Sequence, residues 1–471
     1  MVELDIDKYM NVDQTKKIQS ARFSEDFQYI INSDGQKVEL NDPSIVHVIP
    51  EAKNPYGRRI VQNLYHFNGL NVRLSRETDA DILQYSKRIC SGRECLPGMA
   101  IAGAILKDIV EYREEGEITI YRTPTDMNSP CQNGSWGILW ETFSNRLNVK
   151  NILLSGSPSY RNKYFGLNPN LTALEPIGYM IGHYITEARN ALYCVAEDRH
   201  QAITTFETVT SEYIESLKRD GEKRLTIGLV EWAKQIKKIP LKAKVDKTTK
   251  VLIFGGINLV YDHYPVENYF LEMGIIPKVV EYAELIELLF SSFIVRFGFK
   301  RGFTTPKEQF DESLFDYSNF TTRELREAER AIRYKKMLKF FNSQCKSLRN
   351  LIEKTGLLFD PQIDFEDILE KGNEFASVNG ITETPMIIGR FINSLQSGVY
   401  DGLINLSTFN CQPAMNSQPI IRPLANKSDI PYAALDCEGP WLSTNQKRLL
   451  ETMAVQAKRV RRRKNELILN S

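Results

Sequence analysis

The sequence predicts an α/β protein of two doubly wound parallel-sheet domains, Rossmann- or flavodoxin-like, with inserted helical segments. Three observations support this. Short apolar runs bounded by turn residues recur in both halves of the chain. Stretches of helical periodicity separate them, the alternation expected of parallel α/β layers. Two longer stretches, charged, amphipathic and poor in strand signals, interrupt the pattern and read as helical additions.

Taken in order, the strand candidates of the first half are 45–49, 117–122 and 151–155. Those of the second half are 250–254, 277–280, 402–406 and 431–435. Helical periodicity covers 98–112, 136–147, 266–272, 385–395 and 446–462. The helical additions fall at about 172–239 and 321–371, and the lysine-rich stretch 238–250, with one proline, reads as a linker. The expected division is a first α/β domain over 1–165 and a helical segment with linker over 166–245. A second α/β domain then covers 246–471, with a helical insertion at about 300–372 and a C-terminal helix. No internal repeat or low-complexity tract is legible. Gly255-Gly256 after the 250–254 run reads as a tight strand–helix turn, because Leu259, Val260 and Tyr261 break the Gly-x-Gly-x-x-Gly pattern. No P-loop occurs, so the chain shows no ATP site of its own.

At 471 residues the chain exceeds one ordinary core, and 42% hydrophobic with 25% charged residues is a soluble globular composition. A net charge of +1 supplies no global field for nucleic acid or membrane, and neither is expected as a partner. The acidic start, Met1-Val2-Glu3-Leu4-Asp5, lacks the basic and apolar regions of a signal peptide. The most apolar stretch, 288–295, is short and flanked by Glu287 and Arg296. A cytoplasmic location is the expectation. The basic tail at 458–464 reads as a solvated helix end suited to the helix dipole, with a docking patch for an acidic partner as the alternative.

Seven cysteines in a reducing compartment point to metal binding or burial rather than a disulfide framework. Three lie in glycine- or proline-flanked loops: Cys95 before Leu96-Pro97, Cys131 after Ser129-Pro130, and Cys411 before Gln412-Pro413. Thiolate ligands need bent, exposed backbone with N–H groups nearby. Cys131 and Cys411 follow strand candidates, and ligands of doubly wound sheets bind at the carboxyl ends of strands. Cys95 precedes a helix whose N-terminal dipole favours a thiolate. One shared iron–sulfur site, plain structural or surface thiols, and zinc all remain open on spacing alone. No Cys-x-x-Cys occurs, and the five histidines are scattered. Cys90 is a candidate fourth thiolate, with packing at a loop edge as its alternative, and Cys437 ranks below it. Cys194 reads as core and Cys345 as an incidental helical thiol.

Together these motifs resemble the catalytic components of 2-hydroxyacyl-CoA dehydratases and benzoyl-CoA reductases, with their double-cubane and activase-associated relatives. Ser91-Gly92-Arg93-Glu94-Cys95-Leu96-Pro97 is similar to the family's Gly-x-Glu-Cys-Leu-Pro segment. Ser129-Pro130-Cys131-Gln132-Asn133-Gly134 resembles Gly-Pro-Cys-Arg-x-Gly, with Ser129 and Gln132 as departures. Gly255-Gly256 with Tyr264-Pro265-Val266-Glu267-Asn268 is similar to the segment opening the second domain. Asp401-Gly402-Leu403-Ile404 and Phe409-Asn410-Cys411-Gln412-Pro413 resemble the family's most specific elements.

The resemblance implies that Cys95, Cys131 and Cys411 ligate a [4Fe-4S] cluster, with one iron left open. A single cubane is favoured over a double cubane, for which Cys90 and Cys437 are the only further recruits. It also implies a separate ATP-dependent iron–sulfur activase acting in trans, delivering one low-potential electron. That electron would form a ketyl radical of an acyl-CoA or related thioester, for dehydration or reduction. The expected function is an iron–sulfur reductase or dehydratase component, in a homo- or heterodimer. A non-catalytic cluster scaffold or electron relay is the alternative, and a zinc-stabilised interaction protein the weaker one.

Overall fold

A computed structural model describes residues 19–26, 28–49, 54–76, 78–122, 132–147, 149–155, 171–256, 264–360, 362–380, 382–409 and 411–469. The chain divides into two compact units, one drawn from Met1–Tyr179 with Glu212–Leu225 and the other from Met180–Ser211 with Thr226–Ser471.

The first unit begins with a small antiparallel sheet of β1 (Arg22–Phe23), β2 (Tyr29–Ile31) and β3 (Lys37–Glu39). Its main sheet alternates strands with helices. The order in the chain is β4 (Ile45–Ile49), α1 (Pro55–Phe67), β5 (Val72–Leu74), α2 (Ala80–Ile89), α3 (Leu96–Glu111), β6 (Ile118–Arg122), α4 (Trp136–Arg146) and β7 (Ile152–Ser155). The four main strands are all parallel, in the order β5-β4-β6-β7. Every residue of the central strands β4 and β6 is buried, which is why they read as continuous apolar runs. The edge strand β5 carries Arg73 at its centre, forked onto Asp108 at 2.8 Å and Glu117 at 3.0 Å. That polar centre hides β5 from hydrophobic patterning.

Three helices carry the chain between the units: α5 (Leu171–Val195), α6 (Arg199–Asp220) and α7 (Lys223–Ile236). Within the first unit, Asn63 donates from Nδ2 to the Ile214 carbonyl at 2.8 Å, and Gly221 at φ +62° packs against the Phe67 ring.

The second unit holds β8 (Lys250–Phe254), α8 (Tyr264–Glu272), β9 (Ile276–Val279), α9 (Tyr282–Phe299), α10 (Pro306–Phe310) and α11 (Thr322–Glu353). It continues with α12 (Phe365–Asn373), α13 (Thr384–Ser397), β10 (Gly402–Thr408), α14 (Gln412–Ala425), β11 (Tyr432–Cys437) and α15 (Thr444–Leu469). Its sheet is again all parallel, ordered β9-β8-β10-β11. Both sheets therefore share one plan: the second strand lies outside the first, and the third and fourth follow on the other side. Fold class and parallel layering match the sequence prediction. The core of the second sheet gathers Leu252, Phe254, Ile387, Phe391, Leu403 and Ile421. Among the described residues no helix is long and apolar enough to cross a membrane.

Two polar constructions stabilise this unit. The first surrounds Lys278 on β9, whose ammonium lies 2.5 Å from Glu187, 3.4 Å from Asp360 and 3.7 Å from Glu281. Arg349 on α11 pairs with Glu281 and Asp360, both at 3.1 Å, and Arg390 on α13 pairs with Glu284 at 3.2 Å. All these groups are buried. Burial pushes the Glu187 and Glu284 carboxyls upward, Glu284 to about 7. Burial opposes ionisation of Asp360 as well, yet Lys278, Arg349 and Arg390 hold it well below the usual carboxylate range. The second construction is Asp401, fully buried just before β10. It accepts from the Lys250 amide at 3.0 Å and Arg461 Nε at 2.8 Å, and it forms an ion pair with Lys464 Nζ at 3.0 Å. The basic tail is thus divided: Arg461 and Lys464 turn inward onto Asp401, while Arg462 and Arg463 stay exposed.

Candidate functional site

The loop before Cys95 is organised by its own residues. Gly92 takes φ +81°, a left-handed turn that glycine adopts without steric cost. The Glu94 carboxylate then accepts the Ser91 amide at 3.0 Å, the Ser91 hydroxyl at 3.0 Å and the Arg93 amide at 3.1 Å. Partial burial opposes its charge, but these donors hold Glu94 below the usual carboxylate range. The glutamate of the Gly-x-Glu-Cys pattern therefore shapes the loop. Cys95 emerges as the N-cap of α3, with extended backbone at φ −65° and ψ 148°, and Pro97 falls in the first turn. Pro97 has no N–H, so the amides of the first turn that can face an anion are those of Leu96 and Gly98.

Gln132 ties this loop to the segment that follows β6. Its Oε1 accepts the Cys95 amide at 2.7 Å, and its Nε2 donates to the Arg93 carbonyl at 3.3 Å. Behind it, Trp136 and Trp140 of α4 pack on the first turn of α3. Trp140 Nε1 donates to the Gly98 carbonyl at 3.3 Å. A Cβ on Gly98 would stand 2.6 Å from Trp136 Nε1, so only glycine admits this contact. Trp136 is buried, and its indole N–H has no partner among the described residues. Cys131 itself lies outside the described residues. The residue after it, Gln132, noted in the sequence only as a departure from the arginine of the resembled motif, contacts the Cys95 loop.

In the second unit, β10 ends at Thr408 and Cys411 caps α14, with φ −70° and ψ 109°. The Cys411 amide donates to the Thr408 carbonyl at 3.1 Å, and its carbonyl accepts the Met415 amide at 2.9 Å. Pro413 occupies the first turn, so Cys411-Gln412-Pro413 repeats the local design of Cys95-Leu96-Pro97. Both thiols are half-buried, and both N-cap positions lack a side-chain capping bond. The helix dipoles favour negative charge there.

Cys437, ranked low by sequence, closes β11 in register with Thr408, and its carbonyl accepts the Phe409 amide at 3.2 Å. It is buried at the same sheet edge as Cys411. Phe409, Met415 and Trp441 expose large apolar surface around this edge. Cys90 ends α2, and burial, then Glu94, pushes its thiol up to about 12. Cys194 and Cys345 are buried in helices, and burial likewise raises their thiols, Cys194 to about 12.

The structure thus joins the Cys95 loop to the residue beside Cys131, and it places Cys411 and Cys437 at the same end of the second sheet. Cys95 and Cys411 belong to different units. Among the described residues no three histidine, cysteine, aspartate or glutamate side chains converge as metal ligands. In comparisons with known proteins, no family profile and no curated protein sequence matches the chain.

Proposed function

We propose that the chain is an iron–sulfur reductase or dehydratase component that receives a low-potential electron from a separate ATP-hydrolysing activase. Its substrate class is a 2-hydroxyacyl-CoA or related thioester. The observation that supports this reading is the repeated Cys-x-Pro helix start, one in each doubly wound unit, with half-buried cysteines at the N-cap. Such positions fit thiolate ligands, because first-turn amides and the dipole stabilise sulfur charge. The orphaned Trp136 N–H beside the first turn of α3 adds a buried donor suited to an anionic group.

In this reading Cys95, Cys131 and Cys411 hold a [4Fe-4S] cluster. When bound, such a cluster supplies a one-electron relay and an iron with an open position. The residues themselves have clear tasks. Gln132 fixes the Cys95 loop against the Cys131 segment, and Glu94 shapes that loop. Gly98 lets Trp136 and Trp140 seat the helix start. Phe409, Met415 and Trp441 present apolar surface at the Cys411 edge, suited to the organic part of a substrate or to a partner.

Anaerobic purification tests the proposal. A brown protein with about four irons and four sulfides per chain is expected, as one cubane requires. Cys95→Ala, Cys131→Ala and Cys411→Ala should each lose that iron, while Cys194→Ala keeps it. Colourless protein after anaerobic reconstitution overturns the assignment. Cluster reduction by an activase without turnover of any acyl-CoA would instead assign the chain as an electron relay.

A further inference from the structure

At the amino-terminal edge of the second sheet, the end opposite Cys411, lies an open cavity of about 730 Å³. Its walls come from the 241–246 segment, the start of β8, the turns at Gly356 and Gly398, and Arg461 of α15. The charge around it is unbalanced. Lys242, Lys244, Lys250 and Arg461 line the cavity, and Lys464 stands behind Arg461, against the single lining acid Asp246 and the buried Asp401. Lys242 and Lys244 form no ion pair among the described residues.

Lys250 is only 2% exposed, yet among the described residues no carboxylate bonds its ammonium. Two of its three N–H groups go to the carbonyls of Asp246 at 3.2 Å and Thr248 at 2.9 Å. One donor is left. Arg461 spends three of its five N–H groups, on Asp401, the Asp246 carbonyl and the Val399 carbonyl. Two are left. Burial, followed by the neighbouring Arg461 charge, depresses the Lys250 pKa to about 8. Burial is the larger cause, and the nearby Asp401 and Asp246 carboxylates act in the opposite sense. The rest of the wall is apolar: Leu241, Leu358, Phe359 and Val399.

We propose that this cavity binds a small organic phosphate, its phosphate taken by Lys250, Arg461, Lys242 and Lys244 and its apolar part by Leu241 and Phe359. A phosphate matches the residual donors and the missing countercharge. The cavity has the size of a small-molecule site and exceeds what a bare anion needs, which calls for an apolar body as well. Gly356 at φ +78° and Gly398 at φ +65° leave the adjoining backbone open, with nothing within 4 Å of either Cβ position. The site lies at the other end of the second sheet from the Cys411 loop and does not depend on the iron–sulfur reading.

Titration calorimetry of the full chain tests it, with phenyl phosphate as the probe and inorganic pyrophosphate and phenol as comparisons. Saturable binding of phenyl phosphate is expected, with none of phenol. The exposed pair Lys242→Gln/Lys244→Gln should weaken binding by about tenfold or more without altering the fold, and Lys250→Met should abolish it. If Lys250→Met does not fold, the surface pair decides the question. Lack of saturable binding by both phosphates, or unchanged affinity in the surface pair, overturns the proposal.

Discussion

Replacing Lys278 with methionine isolates the buried charge cluster of the second unit. Methionine keeps the length and volume of the lysine stem, so the change removes charge with little cavity. The lost ammonium stands 2.5 Å from Glu187, 3.4 Å from Asp360 and 3.7 Å from Glu281, and its side chain is 1% exposed. Arg349 and Arg390 are then left facing Glu187, Glu281, Glu284 and Asp360. Removing one partner from a buried ion pair costs about 3–5 kcal/mol, because the remaining charge is neither hydrated nor paired. Taking about 4 kcal/mol, local opening should become roughly a thousandfold more frequent. Amide hydrogen exchange of the peptides covering β8 and β9 reads this directly, since exchange through rare opening reports the local free energy. Adding Glu187→Gln removes the carboxylate that lost its nearest cation and kept only Arg349, at 3.7 Å, among the described residues, and should recover about 2 kcal/mol of the loss. Exchange in Lys278→Met within about fivefold of the parent would refute the reasoning, since that is only about 1 kcal/mol. A double variant whose cost equals the sum of the singles would refute it too.

Two further outcomes follow from the same unit. Gly389 lies where α13 crosses α12, and a Cβ there would stand 1.8 Å from the Ile368 carbonyl, so Gly389→Ala must force the helices apart. A loss of about 1–3 kcal/mol in thermal or denaturant unfolding is expected, and unchanged stability would contradict the crossing. Glu267 on α8, fully buried and bonded by Asn190, is pushed up to about 7 by burial. Its folded pKa is raised, so its stabilising contribution is complete below about 4.5 and is lost as pH rises through about 7, on the order of 3 kcal/mol. Glu267→Gln keeps the Asn190 bond and should flatten stability against pH between 5 and 8; an unchanged slope would count against it.

How much of this was legible depended on whether an element's signal was local. The central strands β4, β6, β8 and β10 are buried on both faces, and their apolar runs declared them. By contrast β5 is three residues long with Arg73 at its centre, and α14 carries Pro413, Pro419 and Pro423, which read as loop. Helix α9 is apolar on nearly every side, so it lacks the one-sided periodicity that betrays an amphipathic helix. The shared plan of the two sheets left no repeat in the sequence, since topology constrains hydrophobic pattern and not identity. The thiol loops were legible because glycine, proline and cysteine are locally informative. Gln132's bond to Cys95 was not, because it joins residues 37 apart. The pairing of the basic tail with Asp401 was hidden for the same reason: Arg461 looks like any solvated arginine until a carboxylate 60 residues away is placed beneath it.

Neither unit is a single stretch of chain, and this bears on the order in which the protein can fold as it leaves the ribosome. The first unit cannot close when its last strand, β7, has emerged; it waits for 212–225, which brings the Ile214 carbonyl to Asn63 and Gly221 to Phe67. The 180–211 segment waits longer. Glu187 emerges 91 residues before Lys278 and still earlier than Asp360, Arg349 and Arg390. For that interval a helix built for a buried, charge-matched interior stands without its counterions, an exposed intermediate of the kind that chaperones protect.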